Sequence, residues 1–150
     1  MGKFAARRGV EAARVWYKPV SQQCLTRSYT MDQEQVREYC LSLPHVTEDV
    51  QWGNDLVFKI GGKMFAVSAL DPASPHRLSF KCTPEEFAEL TERADIEPAQ
   101  YVARYHWVAL VRLNAVKATE LKRLLRDSYE MVKAKLPKKD RLALEAQTKD

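Results

Sequence analysis

The chain is short of the residues that most often announce chemistry. Only five of its 150 residues are glycine. None of them builds the Gly-x-Gly-x-x-Gly fingerprint or the Gly-x-x-x-x-Gly-Lys loop that cradles phosphates. Its three cysteines, Cys24, Cys40 and Cys82, are widely spaced and form no Cys-x-x-Cys pair, which argues against a thiolate zinc site or a disulfide framework. His45, His76 and His106 show no His-x-His or His-Glu-x-x-His spacing, so no metal is expected. There is no nucleophile elbow, and neither a cofactor nor an enzymatic activity is expected. No stretch approaches the ~20 apolar residues that a bilayer-spanning helix requires, so no membrane association is expected.

What is present is ordinary for a folded chain: 45% hydrophobic and 29% charged residues in 17.2 kDa, enough for one buried core. Unpaired cysteines make a reducing cytoplasm the simplest compartment. The formal net charge is only +4, and its distribution is uneven. Residues 1–30 hold six basic residues against one acid (+5). Residues 31–116 hold 8 basic against 13 acidic (−5), and residues 117–141 hold 9 against 4 (+5). The last nine carry −1. The pI near 9.0 thus describes an acidic centre between a basic extension and a basic helix. We divide the chain into a flexible or over-called basic extension (1–30), one domain (31–137) and a polar, frayed tail (138–150).

Periodicity predicts a helix over 32–43, opened by Asp32 and stopped by Pro44. Strands follow at 47–52, 56–60, 63–70 and 77–82, with Gly61-Gly62 as a two-residue hairpin turn. Thr83-Pro84-Glu85-Glu86 starts a second helix. Residues 96–105 read as a helical turn, 107–113 as the fifth strand, and Thr119 as the cap of a long last helix ended by Pro137. Tight hairpins make neighbouring strands antiparallel. The expected fold class is therefore α+β: a two-layer sandwich with an antiparallel sheet of about five strands and helices packed on one face.

Three groups of residues resemble the MmcQ/YjbR family. They are Glu48-Asp49-Val50-Gln51-Trp52-Gly53 with Val57-Phe58-Lys59-Ile60-Gly61-Gly62-Lys63-Met64-Phe65-Ala66, then Pro98-Ala99-Gln100-Tyr101 leading into His106-Trp107-Val108, then Glu120-Leu121 with Ser128-Tyr129 and Leu136-Pro137. The resemblance covers roughly residues 31–141. It implies a frataxin-like (CyaY-like) sandwich and a double-wing DNA-binding role in which two hairpins act as wings. A shared fold does not by itself transfer function.

Side-chain alternation assigns faces. Leu56, Phe58, Ile60, Leu78, Phe80 and Cys82 are expected under the helices, together with Trp107, Ala109, Val111 and Leu113. The open face is expected to carry Lys59, Arg77, Lys81 and Arg112, with Lys63 at the hairpin base and Val57, Val108 and Leu110 among them. Trp52, Trp107, Phe65 and Tyr129 are expected to pack in the core or on the sheet, unless Phe65 turns outward. Lys122, Arg123 and Arg126 line the polar side of the last helix. These eight cations form the candidate nucleic-acid surface, making largely non-sequence-specific backbone contacts. A homodimer or protein partner covering the half-apolar sheet face is the alternative. An enzyme or small-anion site using His106, Arg104 and nearby cations ranks last.

Overall fold

The computed structural model describes residues 30–149. The basic extension up to residue 29, with Cys24, lies outside the described residues. Helix α1 (Gln33–Ser42) begins as its sequence directs: Asp32 accepts the Gln35 amide at 2.8 Å, and the Gln35 side chain accepts the Asp32 amide, a capping box. A meander follows: β1 (Val46–Gln51), β2 (Asp55–Ile60) and β3 (Lys63–Ala69). Gly61 and Gly62 turn its second hairpin with φ of 59° and 81°, values that side chains resist. Then come β4 (Leu78–Lys81) and α2 (Pro84–Leu90), which Thr83 caps through the Glu86 amide. The chain finishes with β5 (Ile96–Pro98), β6 (Trp107–Leu110), α3 (Ala118–Ala134) and α4 (Lys138–Lys149).

The strands form one antiparallel sheet in the order β1-β2-β3-β4-β6-β5. The α+β class is therefore as expected, with six strands rather than five. The sixth is β5, three residues ending in Pro98 at the sheet edge. Proline cannot donate to a ladder, so it hides such a strand from sequence reading yet is tolerated at an edge. Two other expectations fail. Lys117, not Thr119, stands at the cap of α3 and makes no side-chain cap bond. Residues 138–149 are helical rather than frayed, because the Pro137 that ends α3 also opens α4, its carbonyl accepting the Arg141 amide at 3.0 Å.

Among the described residues, α1, α2 and α3 meet one face of the sheet. Val36 and Cys40 of α1, Leu90 of α2 and Leu121, Leu124 and Leu125 of α3 pack with Leu56, Phe58, Ile60, Leu78 and Phe80, and Leu144 of α4 packs at the margin. Each large side chain buried there is worth roughly 1.5–3 kcal/mol, so register on that face is strongly held. The parity expected for β2 and β4 is correct. That of β6 is reversed: Val108 and Leu110 lie in register with Phe80 and Leu78 and belong to the helix-side core, while Trp107 and Ala109 face the other way. All four β6 residues are buried, and without a polar side the alternation carries no sign. Phe65 also faces the helices. A register shift between Phe58 and Lys59 inserts it as an extra residue, and both Phe65 and Ala66 are fully buried, as in a β-bulge.

A candidate binding groove on the open sheet face

Among the described residues, no α-helix covers the second face. Its small cluster consists of Trp107, Ala109 and Ala99, with Met64, Val67 and Val102 packed against it. Two projections flank this floor. One is the β1–β2 turn, which carries Trp52; the other is the segment after β5, which carries Tyr101. Between them lies a groove of about 570 Å³ that both aromatic side chains line.

Both aromatics depart from ordinary behaviour. Trp52 is 66% exposed and Tyr101 89% exposed, so Trp52 is not the core or sheet-face packing residue expected. Their φ angles are +51° and +71°. A left-handed backbone costs a non-glycine residue roughly 1–2 kcal/mol. Neither ring recovers that cost by burial. Strained residues of this kind concentrate at ligand sites. The three-residue turn Trp52-Gly53-Asn54 is closed by the Gln51–Asp55 pair, which lifts the indole off the sheet.

Polar groups border the same groove. Arg77 precedes β4 and donates through Nη2 to the carbonyls of Asp71 and Ser74. His76 Nε2 lies 2.8 Å from Glu97 Oε1. Ser79 faces the floor between Val67 and Ala109. Further along, Lys59 Nζ is 3.7 Å from Asp49 Oδ2. Lys81 Nζ donates to the Tyr105 carbonyl at 2.8 Å. Burial, and then the charge of Lys135, hold the Lys81 ammonium below the usual lysine range.

The eight cations chosen from sequence divide between surfaces. Lys59, Arg77 and Lys81 share the open face, as expected. Lys63 is in register with the core residue Ile60, so it sits on the helix side of the hairpin end. Arg112 lies beyond β6, at the cap of the short turn Leu113–Ala115. Lys122, Arg123 and Arg126 belong to α3 in the helix layer. Lys122 stands 5.9 Å from the Tyr39 ring centre. Arg123 is bound at 2.9 Å by both Glu86 and Asp127. The apolar residues expected to make the open face adhesive are likewise redistributed, with Phe65, Val108 and Leu110 under the helices. Sequence reading passed over Tyr101 and mistook Trp52, although a tryptophan beside Gly53-Asn54 in a turn signals exposure.

The remaining reactive groups lie elsewhere. His106 packs edge-on against Phe87 at 5.7 Å and Arg104 covers the Tyr105 ring at 4.8 Å; neither lines the groove. Burial pushes the Cys40 and Cys82 thiols up to about 12, which removes them as nucleophiles near neutral pH. Among the described residues, no three His, Cys, Asp or Glu side chains are grouped to hold a metal ion. No described helix is long and apolar enough to cross a membrane.

Comparison with known proteins adds an independent line. The family model described as YjbR matches residues 41–131. The crystal structure of a Deinococcus radiodurans protein with a DUF419 domain is 32% identical, with a TM-score of 0.67 over 79% of this chain and 89% of that one. A Pseudomonas syringae protein, 22% identical, shares the fold with a TM-score of 0.57 over 67% of this chain and 98% of that one. No curated protein matches the chain.

Proposed function

The chain belongs to the YjbR family, and from that premise we propose that it binds nucleic acid on its open sheet face, mainly through the phosphate backbone. The observation that supports this reading is the emergence of Lys59, Arg77 and Lys81 on the face that no described helix covers. No described helix is patterned to enter a major groove, so the reading includes no base-pair specificity.

The number of cations sets the expected strength. Each phosphate contact on duplex DNA contributes about 0.9 to the log–log salt slope, so three contacts correspond to about 2.7. All eight sequence candidates acting together would give about 7, but they do not share a face. Asp49 and Glu97 on the same side weaken the field further.

A fluorescence-anisotropy titration at several salt concentrations tests this. Binding with a slope near 3 that drops on charge reversal at Lys59 and Lys81, and persists on reversal at Lys122 and Arg126, supports the reading. Binding that ignores ionic strength, or no binding at low salt, overturns it. The apolar floor of Met64, Val67, Trp107 and Ala109 favours a second reading, in which another copy of the chain covers the groove. Light scattering decides it, since a monomer at all concentrations excludes the homodimer.

A further inference from the structure

The inference here rests on the nucleic-acid reading and narrows it: we propose that the groove receives an unstacked nucleobase, so that the preferred ligand is single-stranded. Phosphate binding leaves most of this site unexplained. A duplex presents its backbone outward and keeps its base faces stacked, so it has no planar surface to offer Trp52 or Tyr101. A single strand does.

Three observations converge on one planar group flanked by an anion. Trp52 and Tyr101 border the same groove from different segments and are the two most exposed large hydrophobic side chains among the described residues. Beneath them the floor is apolar, with Met64 and Trp107. The groove's 570 Å³ lies within the range of small-ligand sites, far beyond what a lone phosphate needs. Finally, Arg77 lines the groove already anchored by two backbone carbonyls. A guanidinium carries five N–H donors, so those left over stay available for a phosphate in a fixed orientation. Asp55 also lines the groove and would repel phosphate, which directs the strand's backbone toward Arg77.

The left-handed backbone at both aromatic positions fits this role. It holds each ring away from the sheet, available to a base. It also suggests variants that keep the backbone. Asparagine accepts the left-handed region better than most residues, so Trp52→Asn and Tyr101→Asn remove the rings without demanding a new turn.

The experiment uses the full chain with labelled oligothymidylate of twelve nucleotides, a duplex of the same length, and thymidine monophosphate. Intact melting temperatures establish that both variants fold. Single strand is expected to bind at least tenfold tighter than duplex, and to quench tryptophan emission less in Trp52→Asn than in the parent, since Trp107 remains in the groove floor. Each variant is expected to weaken single-strand binding about fivefold or more, in keeping with stacking on one base, and to leave duplex binding unchanged. Equal affinity for single strand and duplex, with neutral variants, overturns the base-binding inference and leaves the backbone reading intact. Absence of binding to either polymer overturns both. Monophosphate binding as tight as that of the oligomer overturns the single-strand assignment and makes the site one for free nucleotides.

Discussion

The Ser128 hydroxyl donates to the Phe65 carbonyl at 2.7 Å and in turn accepts the Lys81 amide at 3.1 Å. Phe65 is the bulged residue of β3, and the β3–β4 ladder runs only from Ser68–Leu78 to Ala66–Phe80. Ser128, fully buried on α3, therefore occupies the gap where the two strands part, and supplies the bond that the ladder lacks. Its neighbour Tyr129 donates to the Pro44 carbonyl at 2.7 Å. The Ser-Tyr pair thus pins α3 to both the centre and the beginning of the domain.

Ser128→Ala is expected to leave a buried N–H and a buried carbonyl unpaired and to cost roughly 1–3 kcal/mol. Urea unfolding measures this. A loss of under half a kcal/mol would mean that water or strand movement repairs the gap.

Gly61→Ala and Gly62→Ala are expected to differ. Both place a side chain at positive φ, which costs about 1 kcal/mol or more. A Cβ at Gly61 would additionally stand 2.6 Å from Leu136 Cδ1, whereas one at Gly62 meets nothing within 4 Å. The Gly61 variant should thus be the less stable by thermal melting, and Leu136→Ala should relieve part of the difference. Equal melting temperatures would refute a close approach of Leu136 to the hairpin.

Two arginine–carboxylate forks give the domain an acid-side dependence. The Arg37 guanidinium holds Glu48, and the Arg93 guanidinium holds Glu120, below the ordinary glutamate value of 4.5. A carboxylate lowered on folding contributes stability that is present above its unfolded value and lost as pH falls through the folded one. Stability should therefore begin to decline near pH 4.5 and continue below it. Glu120→Gln should flatten that decline while lowering stability at pH 7. Parallel pH profiles for parent and variant would remove the fork from the account. The effect is modest, because both pairs are partly solvated.

Cys40 and Cys82 are buried, with thiols held up to about 12. In a Cys24→Ser background, neither should react with an aromatic disulfide reagent at pH 8 until the chain is unfolded in urea, when both should titrate. Rapid labelling of the folded protein would show that the helix-side core opens locally.

The fold was legible wherever one face of an element is polar. Asp32 and Gln35 spelled out the start of α1, Gly61-Gly62 the central hairpin, and the alternation in Leu78-Ser79-Phe80-Lys81 the correct inward side of β4. It was illegible where both faces are covered, as in Trp107-Val108-Ala109-Leu110, and where proline masks an edge strand, as at Pro98. The candidate site was half visible. Lys59, Arg77 and Lys81 follow from strand parity, but Trp52 looked like a packed residue because hydrophobicity ordinarily implies burial, and Tyr101 stood in a segment read only as a helical turn.

By itself, then, the order of residues specified local starts, turns and one amphipathic register, because caps, paired glycines and alternating polarity act over a few neighbours. It also carried family membership in its motifs. Only the packed molecule decided which side of β6 lies beneath the helices, that the cations fall on separate surfaces, and that two exposed aromatic residues on left-handed backbone border one groove. Those outcomes depend on distant segments competing for the same sheet, and short-range pattern holds no record of which neighbour prevails.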